Sequence, residues 1–160
     1  MAERTVLQTM LGATLHISAT APETYDAAGY QSTDFVWTEV NHVEDFGNHG
    51  PRSSVTNFTA VEDGAIQKFK TTTDHGQMNV TMGHMPSDAG QAIVYTAAGS
   101  RDRYQLKAVY PLGAGEVTAE THFLDVLVTS FEFQDGTVEG LRKVAATCEV
   151  CRAAVIVDAT

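Results

Sequence analysis

Strict alternation of apolar and polar residues, broken at short intervals by glycine, constrains this chain more than any single motif. Val144, Ala146, Cys148 and Val150 are separated by Ala145, Thr147 and Glu149, and Met78, Val80 and Met82 by Asn79 and Thr81. Tyr104, Leu106, Ala108 and Tyr110 alternate with Arg103, Gln105 and Lys107, and Leu15 and Ile17 with His16 and Ser18. Successive side chains of a strand point to opposite faces, so each stretch reads as a half-buried strand, the first over residues 13–19. Further strands are expected over 35–43, 53–61 and 65–71, the last two joined by the turn Glu62-Asp63-Gly64. In the segment 35–43, Phe35 and Trp37 fall on one face and Val36 and Val40 on the other, which suits a strand covered on both sides.

The longest strand is expected over 120–134. Its apolar set is Leu124, Val126 and Val128, then shifts parity to Phe131 and Phe133, which predicts a bulge or bend near Thr129-Ser130. Asp135-Gly136 makes the following turn, and the tail 153–160 is apolar through Val155, Ile156 and Val157. Residues 21–30 and 45–52 read as loops, the second a long, mobile connection with two glycines and a proline. One helix is expected: Pro86-Ser87-Asp88 supplies a stop and cap, Ala89, Ala92, Ile93 and Ala97 recur at helical spacing, and Gly99 ends it. The sum is a mainly β fold with one α-helix, a β-sandwich or partial barrel.

Function classes narrow mostly by exclusion. A chain of 160 residues suits one domain, and 43% hydrophobic residues argue against disorder. No apolar window is long enough to span a bilayer, and no signal peptide is visible at Met1-Ala2-Glu3-Arg4-Thr5, so residence in the cytosol is expected. A net charge of −10 and the lack of a Lys/Arg cluster disfavour a nucleic-acid-binding face. Cys148-Glu149-Val150-Cys151 has no second cysteine pair to complete a zinc site, and Cys148 reads as a small buried group. None of the six histidines falls in a metal or nucleophile motif, and no phosphate loop is present, so no catalytic residue, metal or cofactor is expected.

The order of elements resembles the tail tube proteins (major tail proteins) of siphophages, the long-tailed, non-contractile bacteriophages. The resemblance begins with Pro22-Glu23-Thr24-Tyr25-Asp26-Ala27-Ala28-Gly29-Tyr30 and Trp37-Thr38-Glu39-Val40, then runs through Glu44-Asp45-Phe46-Gly47 into the loop. Lys68, Lys70-Thr71, Asp74 and Gly76 precede a strand, Asp88-Ala89-Gly90-Gln91 opens the helix, and Asp135-Gly136 precedes the last strands. The family often has Lys-Gly where this chain has Lys70-Thr71-Thr72-Thr73, a departure that bears on the turn there.

The resemblance implies a structural virion subunit and not an enzyme. Six copies would form a ring, and stacked rings would form the conduit for genome ejection. The implied partners are the chain itself, a tape measure protein, a tail terminator and baseplate or tail tip proteins, with DNA passing through unbound and no membrane. The implied location is the virion tail, after assembly in the host cytoplasm. Phe46, Gly47, Asn48, His49, Gly50, Pro51 and Arg52 are the expected inter-ring stacking loop. Val6 and Leu7 in an N-terminal arm (about 1–12) and Val155, Ile156 and Val157 in a C-terminal arm (about 153–160) are expected contacts. Glu39, Glu44 and Asp125 are candidates to face the lumen, where carboxylates would repel DNA. Competing readings are the tube subunit of a bacteriocin or gene-transfer agent, a ligand-binding β-barrel, and a hydrolase with dispersed carboxylates.

Overall fold

A computed structural model describes residues 7–160 of the chain. The strands are β1 (Thr14–Ser18), β2 (Thr38–Val40), β3 (Val43–Asp45), β4 (Arg52–Thr59), β5 (Ile66–Asp74), β6 (Gln77–Gly83), β7 (Tyr104–Val109), β8 (Thr121–Gln134), β9 (Lys143–Val150) and β10 (Val155–Val157). Two helices, α1 (Ala27–Tyr30) and α2 (Ala89–Ala98), complete the order. The main sheet runs β2-β1-β7-β8-β9-β6-β3, with β10 also on β8, and β4 and β5 form a separate two-stranded sheet. All its pairings are antiparallel.

The two end strands of that order, β2 and β3, are separated in sequence only by Asn41 and His42. The sheet therefore curls round on itself into a partial barrel whose seam is this corner. A single strand over 35–43 was the expectation, and the corner is why it splits. His42 adopts a positive φ of 59°, and Asn41 is drawn out of line by Asp88, whose carboxylate accepts from the Asn41 side-chain amide at 2.6 Å. Residues 35–37 are not strand; Phe35 and Trp37 do share a side, as their parity implied, while Val36 is exposed.

Inside the barrel lie Leu15, Ile17, Val40, Met78, Val80, Met82, Leu106, Leu124, Val126, Val144, Ala146 and Cys148, all within 2% of full burial. These are largely the residues singled out by period-two alternation. Helix α2 covers this core with Val94 and Ala97. Its start is fixed by Asp88, which caps the Gln91 amide at 2.9 Å, and by the Gln91 side chain, which donates to the carbonyls of Asn41 (3.1 Å) and Gly83 (2.8 Å). Gly90 allows the close approach, since a Cβ there would sit 2.2 Å from the Glu39 carbonyl. Burial opposes ionisation of Asp88, but the bonds from Asn41 and Gln91 outweigh it and hold the carboxyl below its ordinary range.

Strand β8 carries the expected parity shift as a register break between Val128 and Ser130. Its first half is flanked by β7 and β10, its second half by β9 alone. The expected loop at 21–30 contains the single turn α1, capped by Asp26, which accepts from the Gly29 amide at 2.8 Å.

Candidate assembly surfaces

The face of the sheet turned away from the core is treated in two ways. Over β1, β7 and the start of β8 it is covered by the segment that follows β1. Tyr30 stacks on Phe123 with ring centroids 4.9 Å apart, Trp37 lies 5.8 Å from Phe123, and Phe35 packs on Trp37 at 4.8 Å. Beneath this layer the Tyr30 hydroxyl donates to Gln105 Oε1 at 2.7 Å, and Gln105 Nε2 donates to Asp125 Oδ1 at 2.8 Å. The other oxygen of Asp125 receives Arg103 at 3.2 Å and Arg152 at 3.0 Å. Burial, and next the Asp125 charge, push the Tyr30 phenol well above its ordinary range, which keeps it a donor.

Over β6, β9 and the end of β8, the same face has no covering element among the described residues. Gln77, Asn79, Thr81, Ala145, Thr147 and Glu149 stand on it, exposed or half-buried. They bond to each other across strands, Gln77 to Glu149 at 2.6 Å and Thr147 to Asn79 at 3.0 Å. From Leu127 to Gln134, the edge of β8 opposite β9 carries no strand among the described residues. An unpaired row of backbone donors and acceptors in mid-sheet is a template for another chain.

The β4–β5 hairpin stands apart from the core. Nearly all its residues are exposed, including Val55, Phe58, Ile66 and Phe69 at 52–63%. The register puts Thr56 opposite Phe69 and Phe58 opposite Gln67, so the two phenylalanines share one face. A lone two-stranded hairpin is marginal in water, and one with exposed aromatic rings needs a surface to lie on.

Several expected site residues fall elsewhere. Phe46 is 8% exposed and packs in the core, so it cannot form part of a free stacking loop. The rest of that loop, Gly47 to Pro51, with Arg52 opening β4, forms a strap that follows β6 from Asn79 to Gly76 and reaches β8 through His49. Gly47 has φ 68° and runs so close to Asn79 that a Cβ would meet its carbonyl at 2.2 Å. Asn48, Gly50, Pro51 and Arg52 line a small polar cleft with Gly76 and Gln77. His49 Nε2 lies 2.8 Å from His122 Nδ1 on β8.

Asp125 is 2% exposed and paired with two arginines, so it is withdrawn as a lumen-facing charge. Glu44 pairs with Lys143 at 2.6 Å, which tempers its charge. Glu39 is exposed on β2, at the other end of the sheet order. The three carboxylates are thus not brought together.

The C-terminal arm is, within the subunit, a strand and its continuation. β10 pairs with β8, Val155 and Val157 are half-buried, and Thr160 bonds back to Thr118 at 3.0 Å, leaving Ile156 to face outward. In the N-terminal arm Val6 lies outside the described residues, while Leu7 and Leu11 are 99% and 87% exposed. Burial raises the Cys148 thiol to about 12, which makes it an inert core group.

Two features escaped sequence reasoning. The bare polar face was signalled by the alternation in β6 and β9, whose outward residues are mostly polar and uncharged. The pairing of His49 with His122, 73 residues apart, left no local signal.

No protein-family model matches the sequence, and no curated protein matches it. Solved structures do. A chain of the anti-feeding prophage (AFP) baseplate superposes with TM-score 0.69 at 8% identity, covering 99% of this chain and 98% of that one. A chain from the sheath/tube terminator of the extracellular contractile injection system PVC gives TM-score 0.67 at 7% identity, over 97% and 99%. The SPP1 tail tube gives 0.54 at 14% identity, over 92% of this chain and 78% of that one. At such low identity these likenesses speak for the backbone alone. The mainly β, partly closed barrel of this chain is the tail tube fold.

Proposed function

We propose that this chain is a structural tube subunit of a phage tail or phage-derived injection particle, six copies closing into a ring and rings stacking into a hollow conduit. The observation that carries the reading is the bare edge of β8 from Leu127 to Gln134, beside an uncovered polar face. An edge left open in the middle of a sheet is satisfied when a strand of a second copy adds to it, and repetition of a head-to-tail contact closes a ring. The exposed hairpin supplies a second contact, reaching a copy in the same ring or the next.

The uncovered face of β6 and β9 is our choice for the channel wall. Gln77, Asn79, Thr81 and Thr147 offer water partners but no cation, and its one lysine, Lys143, is paired with Glu44. A wall repeated in every subunit would turn even weak phosphate attraction into a long barrier, so a polar, cation-poor surface suits DNA that must slide. The expected partners follow: a tape measure protein inside, a terminator at one end and a baseplate or tip at the other, in the virion tail or its equivalent.

A tube enclosed by a contractile sheath is a second reading, alongside the siphophage one. The two likenesses that span both chains almost end to end come from the AFP baseplate and a contractile injection system, whereas the SPP1 chain extends beyond this one.

Electron microscopy of concentrated purified protein is the test. Rings or tubes of sixfold symmetry are expected. A chain that remains monomeric at high concentration, and that cannot enter tails of its own particle, overturns the proposal.

A further inference from the structure

The strap that follows β6 is held to β8 by a chain of polar groups that the tube reading does not use. His49 Nε2 is 2.8 Å from His122 Nδ1, and His122 Nε2 is 2.9 Å from Glu120 Oε1. The Tyr110 hydroxyl lies 3.5 Å from the same His122 Nδ1, and its ring packs edge-on against the imidazole at 4.8 Å. The His122 side chain is only 14% exposed, and His49 is half-buried.

For the pair without an added proton, the bonding pattern sets the donor and acceptor roles. With Glu120 accepting from His122 Nε2–H, His122 Nδ1 is left as a lone pair, and the bond to His49 requires His49 Nε2–H as donor. One added proton can be shared, since a protonated His122 can donate instead to a neutral His49. Two added protons leave only N–H groups facing each other across 2.8 Å, and both the hydrogen bond and the charge balance are lost. Glu120 faces the pair from the segment before β8, Tyr110 from just beyond β7, and exposed Arg52 flanks the strap from β4.

We infer that His49 and His122 form a pH-sensitive clasp, closed with up to one proton on the pair and opened by the second, which frees the strap and with it the base of the β4–β5 hairpin. The mechanical link is short. His49 lies three residues before the start of β4, and Gly50 sits so close to Gly76, where β5 has ended, that a Cβ on Gly76 would meet the Gly50 carbonyl at 2.5 Å.

Burial, and next the His122 charge, hold His49 below the ordinary histidine value of about 6.5. The unfolded chain therefore takes up this proton before the folded one does. The clasp contributes fully above that ordinary value, and its contribution is lost as the pH falls through the lower folded-state value.

Backbone hydrogen exchange on the whole chain tests the inference, with β9 amides as the internal reference. Between about pH 7.5 and about pH 5 the protection of residues 46–52 relative to β9 is expected to fall at least about tenfold. Glutamine at either position keeps an amide that donates and accepts without titrating, so His49→Gln and His122→Gln are each expected to flatten this dependence. A strap equally protected at both values, or an equal fall in both variants, overturns the clasp. Should the variants fold poorly, ring-nitrogen NMR of the unsubstituted chain is decisive. Proton uptake by His49 is expected to coincide with loss of strap protection; uptake with the strap unchanged overturns the proposal. These measurements concern the subunit, so they stand or fall separately from ring formation.

Discussion

The two halves of the sheet's outer face are built from the same alternating strands and end in opposite states. Over β1 and β7 the chain lays its own aromatic residues across the strands and buries a carboxylate among arginines. Over β6 and β9 it lays nothing among the described residues, and the face carries largely polar side chains that bond mostly to each other. One half is finished within the subunit; the other is water-compatible but bordered by an unpaired edge. The difference teaches where the subunit is finished: polar alternation alone tolerates solvent, whereas an open β8 edge is a template for a further strand.

The sharpest way to break this contrast is to empty the covered half. Phe123→Ala removes the ring on which Tyr30 and Trp37 pack and is expected to cost about 3–5 kcal/mol of unfolding free energy. Thr147→Ala on the bare half, by contrast, should stay within about 0.5 kcal/mol. Equal losses in urea unfolding would mean that the two halves do not differ as described.

A smaller effect is expected from Asp125→Asn, which keeps shape but removes the charge facing Arg103 and Arg152. Both arginines are about half exposed, at 48% and 49%, so solvent screens much of the loss, and about 1–2 kcal/mol is expected. A neutral result in the same unfolding measurement would show that the arginines relax into water at no cost.

The least effect on the subunit, and the greatest on association, is expected at the hairpin. Phe58→Asp combined with Phe69→Asp should leave stability within about 0.5 kcal/mol, because both rings already face solvent. Sedimentation and electron microscopy should then show loss of rings or tubes. Normal tubes from this chain would remove the hairpin from the interface and leave the β8 edge to act alone.

Much of this was legible in the sequence because burial imposes a period. Met78, Val80 and Met82, and Val144 to Val150, declared both strand and inward face, and the parity change at Thr129-Ser130 located the bulge. Asp88 and Gly99 bounded the helix. The split at Asn41-His42 was not legible, since it depends on Asp88 reaching across 47 residues to bond Asn41. Asp125 was misjudged for a similar reason. A carboxylate between leucine and valine reads as one more outward position, and only the meeting of Arg103, Gln105 and Arg152 around it makes burial tolerable. Loop composition suggested mobility for residues 45–52, but glycines there serve close approach to Asn79 as much as freedom.

The seam of the barrel has a consequence for the order in which the molecule acquires its shape. β2 and β3 are chain neighbours, yet each pairs with a different remote strand, β1 on one side and β6 on the other. Neither wall can be completed by local zippering. The corner at Asn41-His42 therefore joins two walls built from non-local pairings, and α2 clips it through Asp88 and Gln91, an arrangement that favours slow folding. A chain in which either wall is unformed would expose that wall's edges in addition to the open stretch of β8.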